Sequence, residues 1–583
     1  MSNTPKRVSS FFRSSRSSTP APTTPEGPDQ AAKQLDQVSI QSSGGEGDDT
    51  GDFVGGADLF QGETETEAGK FKALLGILRK TISVKDLASV RISLPATMME
   101  GIGNLEAWTY LDRPDYFAAI GEEDGELERF LGVLRWMFTK ELKFSKHSIA
   151  KPFNSILGEH FHCYYDTPIL SLHPTSGAPA PTVNLDESPT SEVITNAGRG
   201  SSSNSTSSAA LKGSPSLSSI SAAQPKPALA NGKSEAIASS SASTRSASTS
   251  ASFSTAPAQP RSARIVLLNE QTSHHPPISH FLVEARVANA EGQVERTVRL
   301  RGADQLSAKF TGANVKIQPG ASNKGLFVEV EGSGEEYQIT HPTAAVAGLL
   351  RASPYATICD TTLVSVSPLD PAERQQELDL PEEERKKKKR LRAIVAYQEE
   401  SWITRPRFIV EGVVYESYPN EAASCSDSTG GDDKRYTKIK QVPSDRIVGK
   451  LNGNWRGEVK WTKAGESTSS TLVDLLPLSV FPKTVAPLSE QDELETRRVW
   501  LPVCEALQKK EFSNASKEKQ RIEQVQRDKA EVRKKNGEIY RPLYFEAEPE
   551  DPTTWDGRPR LTAAGKAALE RDFKADYTTG EAE

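Results

Sequence analysis

Apolar positions are spread unevenly along the 583-residue chain. Between residues 264 and 475 they fall into short runs rich in branched and aromatic side chains, at 265–268, 278–283, 294–300, 325–330, 355–366, 408–415 and 447–463. Gly, Asn and Pro punctuate the runs, which predicts strands joined by turns. Another strand is expected at 159–165. Helical periodicity is scarce between the runs. The predicted class is therefore α+β, mainly antiparallel β, with a large near-closed β-barrel whose many strands leave an interior tunnel. Ahead of this region Phe71, Leu74, Leu75 and Leu78 recur at i, i+3, i+4 and i+7. That spacing predicts an amphipathic helix over 71–80, either docked on a core or serving as a detachable cover. Asn104 is placed to cap a helix over 105–110. Residues 131–138 continue the helical theme, and residues 477–545 turn helical.

Two polar tracts dilute this pattern. Residues 1–68 and 167–262 are dominated by small polar residues, Ala and Pro, with few aromatics. Such segments cannot bury enough apolar area to offset their ordering entropy. They read as a disordered tail and as a disordered insertion between two strands. A barrel tolerates such an insertion because loop-closure entropy grows only logarithmically with length. The foldable domain is then 69–560, interrupted by the insertion and by a charged loop at 370–395, with a partly ordered tail at 561–583. The charged loop ends in four lysines and Arg390, preceded by Glu382, Glu383 and Glu384. It reads as a solvated segment, as a patch for anionic lipid, or as an import signal. The preceding acids partly cancel its field.

The net charge of −7 argues against a nucleic-acid binder. Cys163, Cys359, Cys425 and Cys504 lie far apart and form no C-x-x-C pair. This argues against a zinc module or a disulfide framework and fits a reducing compartment. No apolar run reaches the roughly 18 residues of a membrane span, and no signal-peptide pattern follows Met1. The expectation is a cytoplasmic protein that meets membranes from outside. There is no G-x-S-x-G, P-loop or H-E-x-x-H, so no enzyme, cofactor or metal is expected.

Three constellations carry candidate chemistry. Residues 270–277 read Glu-Gln-Thr-Ser-His-His-Pro-Pro. The two prolines lock φ and remove two backbone donors, so a strand must end here. His274 and His275 are either a polar corner satisfying backbone groups or two imidazoles held at a rim. The second reading needs a bend, because neighbours in an extended chain point to opposite sides. Residues 151–159 read Lys-Pro-Phe-Asn-Ser-Ile-Leu-Gly-Glu, a loop entering a strand. Lys519, Glu523 and Arg527 sit at i, i+4 and i+8 and line one helical stripe. On spacing alone they are a row of surface ion pairs.

Residues 270–277 resemble the EQVSHHPP signature of the oxysterol-binding protein family, with Thr272 where Val is usual. Residues 151–159 resemble its KPxNPxLGE element, with Ser155 in place of the second proline. Asn452 to Trp455 with Trp461 resemble a late strand with a G-x-W core. Residues 490–500 resemble the EQxxxESRxxW segment, and 540–545 the closing segment. The resemblance covers about 70–165 and 263–560, in family order, and looks like a short fungal-type member.

The resemblance implies a lipid-binding barrel with an N-terminal lid that carries one lipid at a time between membranes. Many members exchange that lipid for phosphatidylinositol 4-phosphate. It implies a phosphoinositide headgroup site formed by Lys151, Asn154, His274, His275, Lys519, Glu523 and Arg527, because the family has a K-x3-E-x3-R stripe beside the barrel mouth. The chemistry agrees: several cationic donors would converge on phosphate oxygens. Asn154 would add a directional amide, and Glu523 would fix Lys519 and Arg527 or accept from an inositol hydroxyl. The lid and lipid-selecting stretch would comprise Leu74, Leu78, Leu94, Pro95, Met98 and Met99. Residues 92–95, Glu100 and 104–106 resemble members that carry phosphatidylserine, although Gly101 stands where those relatives have Pro. The expected function is exchange of phosphatidylserine for phosphatidylinositol 4-phosphate. The alternatives are a sterol as the second lipid, or a lipid-sensing scaffold without net transport. The expected protein is a monomer with transient peripheral contact at sites between endoplasmic reticulum and plasma membrane.

Overall fold

The computed structural model describes residues 99–146, 151–170, 261–310, 314–348, 355–401, 404–419, 436–549, 551 and 554–577. The predicted helix with Leu74 and Leu78 lies outside these residues, as do Leu94, Pro95, Met98, the 1–68 tail and most of the 167–262 insertion. Met99 opens strand β1 (Met99–Gly103), which pairs in parallel with β2 (Lys151–Phe153). Between them lie α1 (Asn104–Ala107), α2 (Pro114–Ala118), α3 (Glu126–Thr139) and α4 (Lys143–Lys146). The helix expected over 105–110 is shorter. Gly103, not Asn104, is its N-cap, and no side chain caps it. Tyr110 cannot extend it, because its φ is +58°. Its carbonyl accepts from Trp136 Nε1 at 3.2 Å and its hydroxyl donates to Asp304 at 2.7 Å, so tertiary contacts override local preference.

Fifteen described strands form one sheet. They are β3 (His160–Pro168), β4 (Ser262–His274), β5 (Pro277–Ala288), β6 (Val294–Asp304), β7 (Leu306–Phe310), β8 (Val315–Pro319), β9 (Leu326–Val330) and β10 (Glu335–Ile339). The remainder are β11 (Thr343–Ala347), β12 (Tyr355–Pro368), β13 (Arg390–Tyr397), β14 (Ile409–Ser417), β15 (Ile447–Asn454), β16 (Glu458–Lys463) and β17 (Ser470–Asp474). The main path runs β17-β16-β15-β14-β13-β12-β10-β9-β6-β5-β4-β3, with β7, β8 and β11 branching from β12. Its pairs are antiparallel, as the turn-punctuated runs predict.

Strands β7, β8, β10, β11, β13 and β17 match none of the predicted runs. Strand β10 shows why. It begins with two acidic residues, yet Glu335 pairs with Arg129 at 2.8 Å and Glu336 with Arg374 at 3.1 Å and with Arg558. Partners distant in sequence make those carboxylates tolerable in a buried strand. The segment expected as a charged loop at 370–395 is α5 (Pro371–Asp379), α6 (Glu382–Arg385) and the first residues of β13. Asp370 caps α5 by accepting from Ala372 N at 2.8 Å. Lys386 pairs with Glu382 and Glu383, Lys387 with Glu384, and Lys389 with Glu416.

The sheet curls. Phe161 and Tyr165 of β3 and Leu472 and Val473 of β17, at opposite ends of the strand order, join one buried cluster. Phe117 of α2 and Phe130, Val133, Leu134 and Trp136 of α3 fill it from inside. The second half of α3 is buried nearly all round, as expected of a helix wrapped by a sheet. The ends of the sheet do not pair strand to strand. Instead the chain beyond β17 crosses to the free edge of β3, where Tyr164 and Thr484 exchange two backbone hydrogen bonds of 2.9 Å and His160 N donates to Leu494 O at 3.0 Å. This covers an edge that would otherwise template aggregation. It also corrects the expectation of helix from 477 onward: helix begins only at α7 (Thr496–Gln508), followed by α8 (Phe512–Asn536).

The expected C-terminal tail contains α9 (Ala563–Lys574). Its Ala568 and Leu569 pack with Val266, Leu268 and Leu282 on the outer face of the sheet. Strand β4 is thus buried on both faces, which is why 265–268 read as an unbroken apolar run. Among the described residues no helix is long and apolar enough to cross a membrane.

Candidate functional site

Strand β2 and the loop after it are held from below. Phe153 stacks on Trp500 of α7 with ring centroids 4.7 Å apart, and Ile156, Val503, Ala515 and Ile522 complete a small core joining the loop to α7 and α8. Glu159 is fully buried and accepts from Ile156 N and Thr496 Oγ1 at 2.9 Å and from Trp500 Nε1 at 3.2 Å. Burial outweighs these donors and pushes its pKa up to about 7. Gly158 has φ +82°, and a Cβ there would sit 2.9 Å from the Tyr540 hydroxyl. The loop geometry therefore requires glycine. Ser155, standing where the family pattern has proline, is buried and its hydroxyl makes no hydrogen bond.

On this support Lys151 Nζ donates to Asn154 Oδ1 at 2.6 Å. Helix α8 brings Lys519 to the same place, buried, with its Nζ 2.5 Å from Glu523 Oε1. Lys151 reaches solvent, yet its pKa falls to about 8. Desolvation by the surrounding protein is the first cause; the Lys519 ammonium adds to it and Glu523 opposes it. Two ammonium groups thus act on each other here, with the Glu523 carboxylate paired to one of them. Arg527 lies two turns further along α8 and donates Nε to Gln524 Oε1 at 3.1 Å. The Lys519–Glu523 half of the expected ion row is made directly.

The histidine pair sits on a hairpin. Strand β4 ends at His274, β5 begins at Pro277, and these two residues are paired. The prolines stop one strand and start the next. A register shift between Gln271 and Ser273 and the turn at 275–276 supply the bend, so the two imidazole rings lie 4.6 Å apart at 66°. Gln271, three residues before His274, is tied to the other loop: Gly158 N donates to Gln271 O at 3.0 Å and Gln271 N to Glu159 O at 2.7 Å. Glu270 is fully buried and its carboxylate accepts from Leu543 N at 2.7 Å, Tyr544 N at 2.8 Å and Tyr540 Oη at 3.2 Å. The first residue of the histidine motif therefore anchors the closing segment. Both stretches are conspicuous in the sequence, but nothing in it says that one grips the other.

The stretch expected to select the second lipid is only partly described. Of Met99, the backbone alone is placed, as the start of β1. Glu106 is buried. It accepts from Arg497 Nη2 at 2.7 Å, with Lys483 Nζ 3.6 Å away. Burial pushes its carboxyl up, but those two cations outweigh burial and hold it at about 2. Glu106 clasps α1 to α7.

Comparison with known proteins agrees with the motifs. The family profile described as oxysterol-binding protein matches residues 73–176 and 253–368. The oxysterol-binding protein-like protein 1 of Schizosaccharomyces pombe is 38% identical over 527 residues, covering 88% of this chain and 93% of that protein. Human oxysterol-binding protein-related protein 10 is 22% identical over 486 residues, 82% of this chain but 47% of that longer protein. The solved structure of the Osh3 ORD in complex with PI(4)P from Saccharomyces cerevisiae aligns with a TM-score of 0.47 and 14% identity, over 87% of this chain and 94% of that one. The chain belongs to the oxysterol-binding protein family.

Proposed function

We propose that this protein is a lipid-transfer protein that takes up one lipid at a time and exchanges phosphatidylserine for phosphatidylinositol 4-phosphate. The observation that carries the reading is the meeting of Lys151–Asn154 with Lys519–Glu523, where burial first and repulsion from the Lys519 ammonium second lower the pKa of Lys151 to about 8. A phosphate placed between them would relieve that repulsion and accept charge-assisted hydrogen bonds. His274 and His275 lie at the tip of the adjoining hairpin, and an anion would favour their protonated forms. Arg527 extends the same basic stripe. Acyl chains would need apolar cover, because burying each methylene is worth about 0.8 kcal/mol. The reading is non-catalytic. It implies peripheral, cytoplasmic action between two membranes, with endoplasmic reticulum and plasma membrane as the proposed pair.

A sterol is the second reading for the exchanged lipid. The relatives' names, oxysterol-binding, favour it. So does the engagement of Glu106 by Arg497, which removes one carboxylate from the stretch offered as a phosphatidylserine selector. A two-liposome assay decides. Donor vesicles carry phosphatidylserine or a fluorescent sterol, and acceptors are with or without phosphatidylinositol 4-phosphate. Phosphatidylserine transfer accelerated by the phosphoinositide is the expected result, and sterol transfer instead replaces the second lipid. Stoichiometric binding without transfer of either overturns the exchanger in favour of a lipid sensor. The double variant His274→Ala, His275→Ala is expected to lose phosphoinositide extraction while retaining the other lipid.

A further inference from the structure

We propose that His160, His162, Asp492 and Glu495 form a divalent-cation site of the zinc class that pins the seam where the curled sheet closes. His160 and His162 alternate on β3 and share a face. Asp492 and Glu495 come from the crossing segment that covers the edge of β3. One ligand atom from each of His160, Asp492 and Glu495 lies within 4.8 Å of the others; His162 stands outside this cluster, its ring centroid 5.5 Å from that of His160, and would have to move in as the fourth ligand.

The hydrogen bonding of the two imidazoles points the same way. His160 Nδ1 is 3.1 Å from Gly158 O, and Nε2 is 2.9 Å from Asp492 Oδ2. Both ring nitrogens face oxygen acceptors, so with a proton on Nδ1 a second cation must stand between Nε2 and the carboxylate, either a proton or a metal ion. His162 is 6% exposed. Its Nδ1 is 2.8 Å from Asp572 Oδ2, and its Nε2 makes no hydrogen bond. A carboxylate on one imidazole nitrogen and a bare lone pair on the other is the arrangement that orients histidine toward a metal. The ring of Tyr544 sits edge-on to both imidazoles, 5.0 Å from each. Arg571 binds the other oxygen of Asp572, at 2.9 Å, leaving Oδ2 to His162; its Nη2 is 3.4 Å from His162 Nδ1.

Space is available. A cleft of about 90 Å³ is lined by His162, Glu495, Arg571 and Asp572 among others. Asp492 is half exposed and already directs Oδ2 at His160 Nε2, while Oδ1 accepts from Leu494 N at 2.8 Å. Two imidazoles and two carboxylates suit zinc, with bonds of about 2.0–2.2 Å. The ligands bridge β3 to the segment that follows β17, so a bound ion would clamp a seam that the described residues close by isolated bridges instead of a ladder. The sequence led us to expect no metal, because ligands from two stretches more than three hundred residues apart have no recognisable spacing.

The test uses the full chain, stripped with chelator and titrated with Zn²⁺ alone, reading stoichiometry by elemental analysis and stability by thermal unfolding. Co²⁺ substitution adds a visible-absorption readout of coordination geometry. One Zn²⁺ per chain with a raised Tm is expected. Asp492→Asn and Glu495→Gln should each weaken binding by at least about tenfold, and Asp572→Asn, which acts through His162, by about 10–100-fold. Asp492 is exposed enough that its variant should fold, which circular dichroism verifies. His274→Ala with His275→Ala should leave the affinity unchanged. Absence of saturable Zn²⁺ binding, binding indifferent to Asp492→Asn, or binding abolished by the 274/275 double variant overturns the proposal.

Discussion

Glu106 and Glu159 are both buried carboxylates, and they respond to pH in opposite senses. Glu106 is held at about 2, below its unfolded value of 4.5. Its contribution to stability is present above pH 4.5 and is lost as pH falls toward 2. Glu159 is raised from 4.5 to about 7, so its contribution is complete below pH 4.5 and is lost as pH rises through 7. Urea unfolding of wild type and Glu159→Gln across this range should show the difference moving in favour of glutamine as pH rises, by roughly 3 kcal/mol in all. Lys151 gives a matching prediction for binding. With its pKa near 8, the ammonium is present below that pH and must be restored by proton uptake above it. Affinity for a soluble short-chain phosphatidylinositol 4-phosphate, measured calorimetrically, should weaken by up to about tenfold per pH unit above 8. Lys151→Ala should bind more weakly and lose that slope. Ser155→Ala removes a buried hydroxyl with no partner and should raise stability by about 1 kcal/mol; a loss of stability would show that the hydroxyl is satisfied after all.

At the scale of elements, α7 is the hub. It stacks Trp500 on β2, donates to Glu159 and clasps α1 through Arg497 and Glu106. Removing Arg497 leaves Glu106 buried with Lys483 as its remaining cation. Arg497→Ala should therefore cost about 2 kcal/mol in chemical denaturation. A neutral result would mean that Lys483 or water takes over completely. The site was legible at this scale in outline. The lysine–asparagine loop, the histidine pair and the α8 stripe were each visible as short motifs. The grip of Glu270 on residues 540–545 and the clasp of Glu106 were not, because a single acidic residue carries no mark of the amide or guanidinium it will meet. Helix ends were also misjudged where tertiary contacts decide them, as at Tyr110.

For the whole molecule, the ends of the long insertion matter more than its content. Pro168 and Ser262 are paired neighbours in the β3–β4 ladder, so a short turn can join the strands directly. Deleting residues 171–260 in favour of a tight turn should leave the thermal transition within a few degrees of wild type, because loop-closure entropy changes only logarithmically. A collapse in folding yield would show that the insertion is structural.

By itself the sequence determined the dominance of antiparallel strands, because short branched and aromatic runs and the turn residues between them act over a few positions at a time. It also marked the three stretches that carry the candidate site, since each is a contiguous motif. Only the tertiary structure decided how the sheet closes, which acidic residues serve as anchors, and that His160 of β3 meets Asp492 and Glu495. Those outcomes depend on contacts between residues hundreds of positions apart, formed when the curling sheet brings its first strand against the chain beyond its last.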